Sequence, residues 1–232
     1  LGGKQDFSLE GGWRAFPLHA FQPTGRDGRA INALLDGSFV FQGNWAEGRD
    51  SLHGRAIADR LDFHWGEHRL RNRDPWMADV IGGELVAEGL VFAGSGMELA
   101  GSVTYDDLGT RAEAEGLVLL GLMPAFFPGI ELAEGPVTVK LDADSTREEA
   151  KVRLEAITTG ASLRTEWFPH ALENFTCRLI ASEQGYNIAG LGGSLGGGRA
   201  SLSGFVEARD WWPSRFDLQG QLERGRIRYL TF

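Results

Sequence analysis

The sequence holds one cysteine, Cys177, among 232 residues, which excludes an internal disulfide. A chain this poor in cysteine suits either a reducing or an oxidising compartment. Basic residues are in the minority, 23 against 32 acidic ones, for a net charge of −9. Binding to a phosphate backbone needs a clustered Lys/Arg surface, so nucleic acid is excluded as a partner. The same deficit argues against electrostatic adhesion to anionic lipid surfaces. Proline is scarce, at 8 residues. No apolar run is long enough to cross a bilayer as a helix, and no signal peptide is visible. The longest apolar stretch, residues 117–130, is broken by Pro124 and Pro128. The chain starts at Leu1 without an initiator Met. It is expected to be an excised piece of a longer protein, which leaves the parent's targeting open.

What is present is apolar and glycine-rich. Hydrophobic residues at 42% and aromatics at 10% supply a substantial core and exclude disorder. The 33 glycines follow no three-residue period, which excludes collagen, and they fall in or between apolar stretches. The length suits one large all-β unit or two small ones.

The dominant local signal is period-two alternation, the mark of strands with one buried face. Phe7, Leu9 and Trp13 share one parity, as do Phe39, Phe41 and Trp45, and Leu61, Phe63 and Trp65. The pattern returns in Met97, Leu99, Val103 and Tyr105, in Val137, Val139, Leu141 and Ala143, in Val152, Leu154 and Ala156, and in Phe216, Leu218 and Leu222. A parallel sheet covered on both sides reads as continuous apolar runs instead. One face is therefore wet and the other dry.

A degenerate unit recurs, with apolar residues flanking a glycine of the same parity. It stands as Leu9-Glu10-Gly11-Gly12-Trp13, Phe41-Gln42-Gly43-Asn44-Trp45, Leu99-Ala100-Gly101-Ser102-Val103, Leu202-Ser203-Gly204-Phe205-Val206 and Leu218-Gln219-Gly220-Gln221-Leu222. Glycine inside a strand costs stability. Its repetition on the dry face implies crowding there or a strand that must bend, as in a sheet curling round a narrow lumen. The spacing is irregular, so a solenoid of fixed period is not expected.

Residues 117–129 break the alternation, being apolar on every side. They predict a short helix with Pro-terminated ends, buried near residues 117–127 and able to plug one section of an open sheet. The run Gly190 to Gly198 reads as a loop or hairpin followed by a strand, and residues 71–75 and 210–214 read as turns. No linker stands out, so residues 1–232 are expected to form one continuous domain.

Patterns that could carry catalysis have plainer readings in this chain. His64-Trp65-Gly66-Glu67-His68 matches a zinc-peptidase pattern that works only on a helix. Here the flanking alternation says strand then turn, and two strand residues four apart stand about 13 Å from each other. Two solvent-facing histidines near a turn are expected. Asp106, Asp107, Asp142 and Asp144 fit a solvated face rather than glycosidase acids. The glycines at 190–198 lack the lysine of a phosphate-binding loop. Asn174-Phe175-Thr176 is a glycosylation sequon by pattern alone, and Cys177 reads as a small buried hydrophobe. Seven tryptophans (Trp13, Trp45, Trp65, Trp76, Trp167, Trp211, Trp212) suggest a sugar platform. However, Trp13, Trp45 and Trp65 follow the dry parity, which favours their burial, while Trp211 and Trp212 are placed in a turn at a rim. No enzyme is expected, and neither a cofactor nor a metal.

A resemblance enters after residue 115. Gly116-Leu117-Val118-Leu119-Leu120 through Pro128-Gly129-Ile130-Glu131-Leu132, then Gly135-Pro136-Val137-Thr138-Val139-Lys140-Leu141, resembles the TamB family, among the AsmA-like and repeating β-groove lipid-transfer proteins. Ala161-Ser162-Leu163 to Phe168-Pro169-His170-Ala171-Leu172-Glu173-Asn174-Phe175, then residues 190–204 and 216–229, are similar to later strands of that family. The resemblance covers residues 80–232 well and 1–79 only by texture. It implies an internal fragment of an inner-membrane-anchored rod that crosses the periplasm of a Gram-negative bacterium. It further implies a role in outer-membrane biogenesis, a TamA-type barrel partner and phospholipid movement between membranes.

The expected architecture is all-β: a long, curled, antiparallel-rich sheet forming an open U-shaped groove with an apolar interior. Phe39, Phe41, Phe63, Met97, Leu99, Val103, Val139, Leu141, Val152, Leu154, Leu202, Phe216 and Leu218 are expected to line it. Phospholipid acyl chains would lie in the groove with head groups in water, each buried CH₂ contributing about 0.8 kcal/mol. One alternative is a scaffold that accepts strands of outer-membrane proteins or autotransporters by β-augmentation. Another is a carbohydrate-binding or adhesin β-solenoid, which requires aromatics on the wet face.

Overall fold

Alternating apolar and polar residues commit most of the chain to strand, and the computed structural model carries this into one antiparallel sheet of fifteen strands. It describes residues 6–17, 32–65, 68–126, 129–146, 149–209 and 212–226. Gly66, Glu67, Phe127, Pro128, Asp210, Trp211 and residues 227–229, all used above, lie outside the described residues, as do the side chains of Trp65 and Trp212. By contact the chain forms two compact units, Leu1–Ala114 with Ala143–Ala150, and Glu115–Asp142 with Lys151–Phe232.

The first unit begins with β1 (Asp6–Pro17), β2 (Asn32–Asn44) and β3 (His53–Trp65), paired in sequence order. The next strand is interrupted. β5 (Trp76–Ile81) pairs with the first half of β3, and β4 (His68–Asn72) with its end. Both then pair with β6 (Glu84–Gly94), which passes to β7 (Met97–Tyr105). Of the residues 71–75 read as a turn, Arg71 and Asn72 belong to β4, and residues 73–75 make the break. β8 (Gly109–Leu119) and β10 (Pro136–Thr146) each contribute residues to both units.

The break in the fourth strand is bridged by one side chain. Opposite it, β3 carries an extra residue at Asp59, so that Asp36 pairs with Arg60 but Gly37 with Ala58. Asn72, buried at 5% exposure, accepts a hydrogen bond from the Leu61 amide at 2.7 Å. Its Nδ2 donates to the carbonyls of Ala58, Asp59 and Asp74. The amide thus supplies the partners that the irregular ladder withholds from buried backbone groups.

The second unit holds β9 (Ile130–Glu134), β11 (Ala150–Thr165), β12 (Phe168–Ser182), β13 (Gly185–Leu195), β14 (Gly198–Arg209) and β15 (Trp212–Glu223). β11 to β15 pair consecutively, and β9 adds to the end of β11. Between β8 and β9 a 3₁₀ turn, Leu120–Leu122, leads into the one-turn helix α1 (Met123–Phe126). This is the helix expected from the all-apolar stretch, with a difference. The stretch begins as strand, and Leu120 to Pro124 are half-buried against β9 rather than enclosed.

Two turn expectations are corrected. Gly190 to Leu195 is strand, and the hairpin is confined to Gly196 and Gly197, at φ 56° and 77°. Two consecutive left-handed residues make the turn whose twist matches a two-residue hairpin. Strand β15 starts at Trp212, and Pro213 pairs with Ala208, so the expected turn at 210–214 is already strand there. Pro213 is tolerated because β15 stands at the end of the strand order.

Replacing Asn72 by Ala leaves buried carbonyls and an amide unpaired, at a cost of about 2 kcal/mol or more. The exposed Asn187→Ala change costs less than about 0.5 kcal/mol. Urea denaturation of the two variants measures the contrast, and equal midpoints refute the bridging role of Asn72.

Candidate functional site

Residues paired across an antiparallel ladder point to the same side of the sheet, so register defines its faces. In the first unit one row runs Gly11, Phe39, Ala56, Ala78, Ala87, Val103. The next runs Leu9, Phe41, Gly54, Val80, Leu85, Tyr105. Phe63 pairs with Ala33 and Leu70, and its ring meets Phe92 edge-on at 5.4 Å. Phe92 pairs with Leu99, and Met97 with Gly94. All six lining residues expected from this unit therefore share one apolar face.

The second unit repeats the arrangement. Rows run Leu154, Ala181, Tyr186, Val206, Phe216, and Ala156, Leu179, Ile188, Gly204, Leu218, and Thr158, Cys177, Leu191, Leu202, Gly220. Leu154, Leu202, Phe216 and Leu218 share that face, and Val152 precedes Leu154 by one period. Val139 and Leu141 follow the buried Val137 at the same parity on β10.

Small residues form the floor of these faces. Eight of the fourteen buried hydrophobic residues are alanines, and among the described residues no large side chain is fully enclosed. The larger residues overhang the small ones. A Cβ on Gly11 would come within 2.7 Å of the Phe39 ring, and one on Gly43 within 2.9 Å of Phe7. Each ring lies flat over the glycine opposite, so the crowding expected on the dry face is present. Leu9, Tyr105 and Phe216 stay exposed at 54%, 45% and 65%.

Sequence reasoning missed Trp76, Val80, Leu85, Phe92, Tyr186 and Ile188, which belong to the same faces, while Val206 stands there as its glycine-centred unit implied. Phe92 and Ile188 sit beside bulges where alternation slips, and the rest lie in short runs flanked by glycine. Trp45 is a correction. It lies past the end of β2, 69% exposed, with its ring stacked on Phe7 at 4.4 Å. Parity no longer governs a residue outside the strand.

The opposite face is laced with ion pairs. Arg55 bonds Asp79 at 2.6 Å, Arg60 meets Asp36 at 2.9 Å, and Arg178 bonds Glu155 at 2.8 Å. Exposed pairs of this kind contribute little stability each. Asp62 differs, being 3% exposed, because Arg69 grips both its oxygens and His64 Nε2 sits 3.0 Å away. The Arg69 hydrogen bonds hold its carboxyl below the usual carboxylate range, against the opposing effect of burial. His64 and His68 sit on β3 and β4, in the strand setting expected, with His64 committed to Asp62. Asp106 accepts hydrogen bonds from the amides of Leu108 and Gly109 and so shapes the β7–β8 turn, while Asp107 pairs with Arg49. Cys177 is half-buried between Thr158 and Leu191, and burial pushes its thiol pKa up.

Asp62 binds a proton less readily folded than unfolded. Its stabilising contribution is complete above the ordinary carboxylate value of about 3.9 and is lost as pH falls through the lower folded value. The stability gap between the native chain and Asp62→Asn therefore narrows on acidification below about pH 4, as urea midpoints taken across that range will show. A constant gap contradicts the assignment. On the apolar face, Gly54→Ala drives a methyl into the Phe41 ring and the Val40 carbonyl and costs about 1–3 kcal/mol. Gly190→Ala, with nothing within 4 Å of the new methyl, is close to neutral, and urea midpoints of the two variants measure the difference.

Comparisons with protein-family models, with curated proteins and with solved structures found no match to this chain.

Proposed function

We propose that the chain is a lipid-conducting segment of the bacterial cell envelope, in which the apolar sheet faces cradle phospholipid acyl chains. One observation carries the reading: each unit presents an ordered apolar face whose large side chains remain partly exposed over a floor of alanine and glycine. A face of this kind retains an unsatisfied hydrophobic driving force, and contiguous exposed apolar surface marks a binding surface. Acyl chains suit it because the lining offers them no polar partner. Each methylene removed from water contributes about 0.8 kcal/mol, so a fatty chain is held by several kcal/mol without head-group recognition.

The bulges also support this reading. β1, β3, β6, β11, β12 and β13 each carry a register shift, and bulged strands bend and twist more strongly. Bent strands are what an open groove requires. The resemblance to the TamB family adds the setting: a non-enzymatic periplasmic bridge from an inner-membrane anchor toward a TamA-type barrel, serving outer-membrane biogenesis.

The test is native mass spectrometry of the chain purified from cells, with photocrosslinkers at Leu99 and Leu154. Phospholipid co-purifies and is captured at both positions, and Leu99→Asp and Leu154→Asp lower the bound lipid several-fold by placing a charge among acyl chains. Absence of lipid together with capture of polypeptide overturns the proposal in favour of a scaffold for unfolded outer-membrane strands.

A further inference from the structure

The glycines of residues 190–198 do not all have the same cause. A Cβ at Gly193 would come within 2.7 Å of the Phe175 Cβ, and one at Gly198 would strike the Gly225 backbone. Gly196 and Gly197 form the hairpin turn at left-handed φ. Gly190 and Gly192 have neither reason, because a Cβ at either meets nothing within 4 Å and neither φ is left-handed; of the two, only Gly192 lies in a cleft. A strand glycine with no packing or backbone requirement is a stability cost without a structural return.

Gly192 lies in the floor of an open cleft of about 810 Å³ on the polar face of the second unit. Register builds it from two rows on that face, Ser194, Arg199, Glu223 and Gly192, Ser201, Gln221. Asn174 and Arg224 also line it. These are two of only four non-glycine residues with positive φ among the described residues, at 47° and 58°. Asn adopts this region readily, whereas an arginine held there, as Arg224 is, is strained, and such residues concentrate at binding sites. Arg199 and Arg224 have no ion-pair partner among the described residues, while the one carboxylate present, Glu223, accepts a hydrogen bond from Gln221 at 3.1 Å.

We infer that this cleft is a binding site for a phosphate group, carried either by a soluble ester or by a lipid head group. Two guanidinium groups present forked donors that match phosphate oxygens, and the serine hydroxyls add further donors. The absent side chain at Gly192 leaves room for the group between the two rows. The site lies on the face opposite the acyl-lining residues and does not rest on the lipid-conduit reading.

The test is a titration of the purified chain with glycerol 3-phosphate, followed by backbone amide resonances. The amides of residues 192–194 shift saturably. Arg199→Gln weakens binding by about tenfold or more, as loss of a charge-assisted hydrogen bond requires. Arg224→Asn does likewise while keeping a residue that tolerates positive φ. Gly192→Leu puts a side chain between the two rows where the phosphate would sit and abolishes the shifts, whereas Gly190→Leu, with equally open space but outside the cleft, leaves them unchanged. Displacement of the ester by phosphatidylglycerol vesicles identifies a lipid head group as the source; persistence of the ester signal against vesicles identifies a soluble one. No saturable shift, or shifts indifferent to Arg199→Gln and Gly192→Leu, overturns the site. Acyl-chain capture at Leu99 and Leu154 is read separately, so failure of one proposal is distinguishable from failure of the other.

Discussion

The constraint on which the rest of this structure depends is the cross-strand pairing of large apolar side chains with glycine or alanine. Phe39 over Gly11, Phe7 over Gly43 and Phe41 beside Gly54 occupy the space that a side chain at each glycine would need. The alanine positions continue the same floor, from Ala56 through Ala78 to Ala87. Large side chains thus overhang the small residues paired with them. Several large side chains of the same faces stay exposed, Leu9, Tyr105 and Phe216 among them.

Bulges are the second element, and they obey a common rule. At each of six shifts the residues facing the apolar side are spaced three apart rather than two: Trp13 and Phe16, Ala58 and Leu61, Ala87 and Leu90, Thr158 and Ala161, Leu172 and Phe175, Ile188 and Leu191. An inserted residue reverses parity, and a one-residue slip would otherwise turn the rest of the strand's apolar set to water. The apolar pattern slips by one at the same points, so one face stays apolar past each bulge. Asn72 does the corresponding work for the backbone, where β3 bulges opposite the gap between β4 and β5.

The polar face is organised differently. Arg55 with Asp79 and Arg60 with Asp36 are direct cross-strand partners that preserve register and solubility. The cleft around Gly192 departs from this pattern, with two arginines that have no ion-pair partner among the described residues and with Arg224 held at positive φ on its wall. The two faces thus separate an apolar, unselective surface from a polar, donor-rich one.

Sequence alone determined the all-β class, the antiparallel character and the membership of the apolar faces wherever alternation runs unbroken, as in Met97 to Tyr105 and Phe216 to Leu222. Period two is a local property of an extended backbone, so neighbours in the chain suffice to reveal it. It likewise marked the His64 segment as strand, and its loss after Leu117 marked the stretch that ends in α1. Tertiary structure decided what depends on cross-strand partners. It placed Phe92 and Ile188 on the apolar faces through bulges, left Trp45 exposed against Phe7, and extended β13 through Gly190 to Leu195. It also assembled Asn174, Gly192, Arg199 and Arg224 around one cleft. Their separation along the chain carries no periodic signal, because register between distant strands, and not local repetition, brings them together.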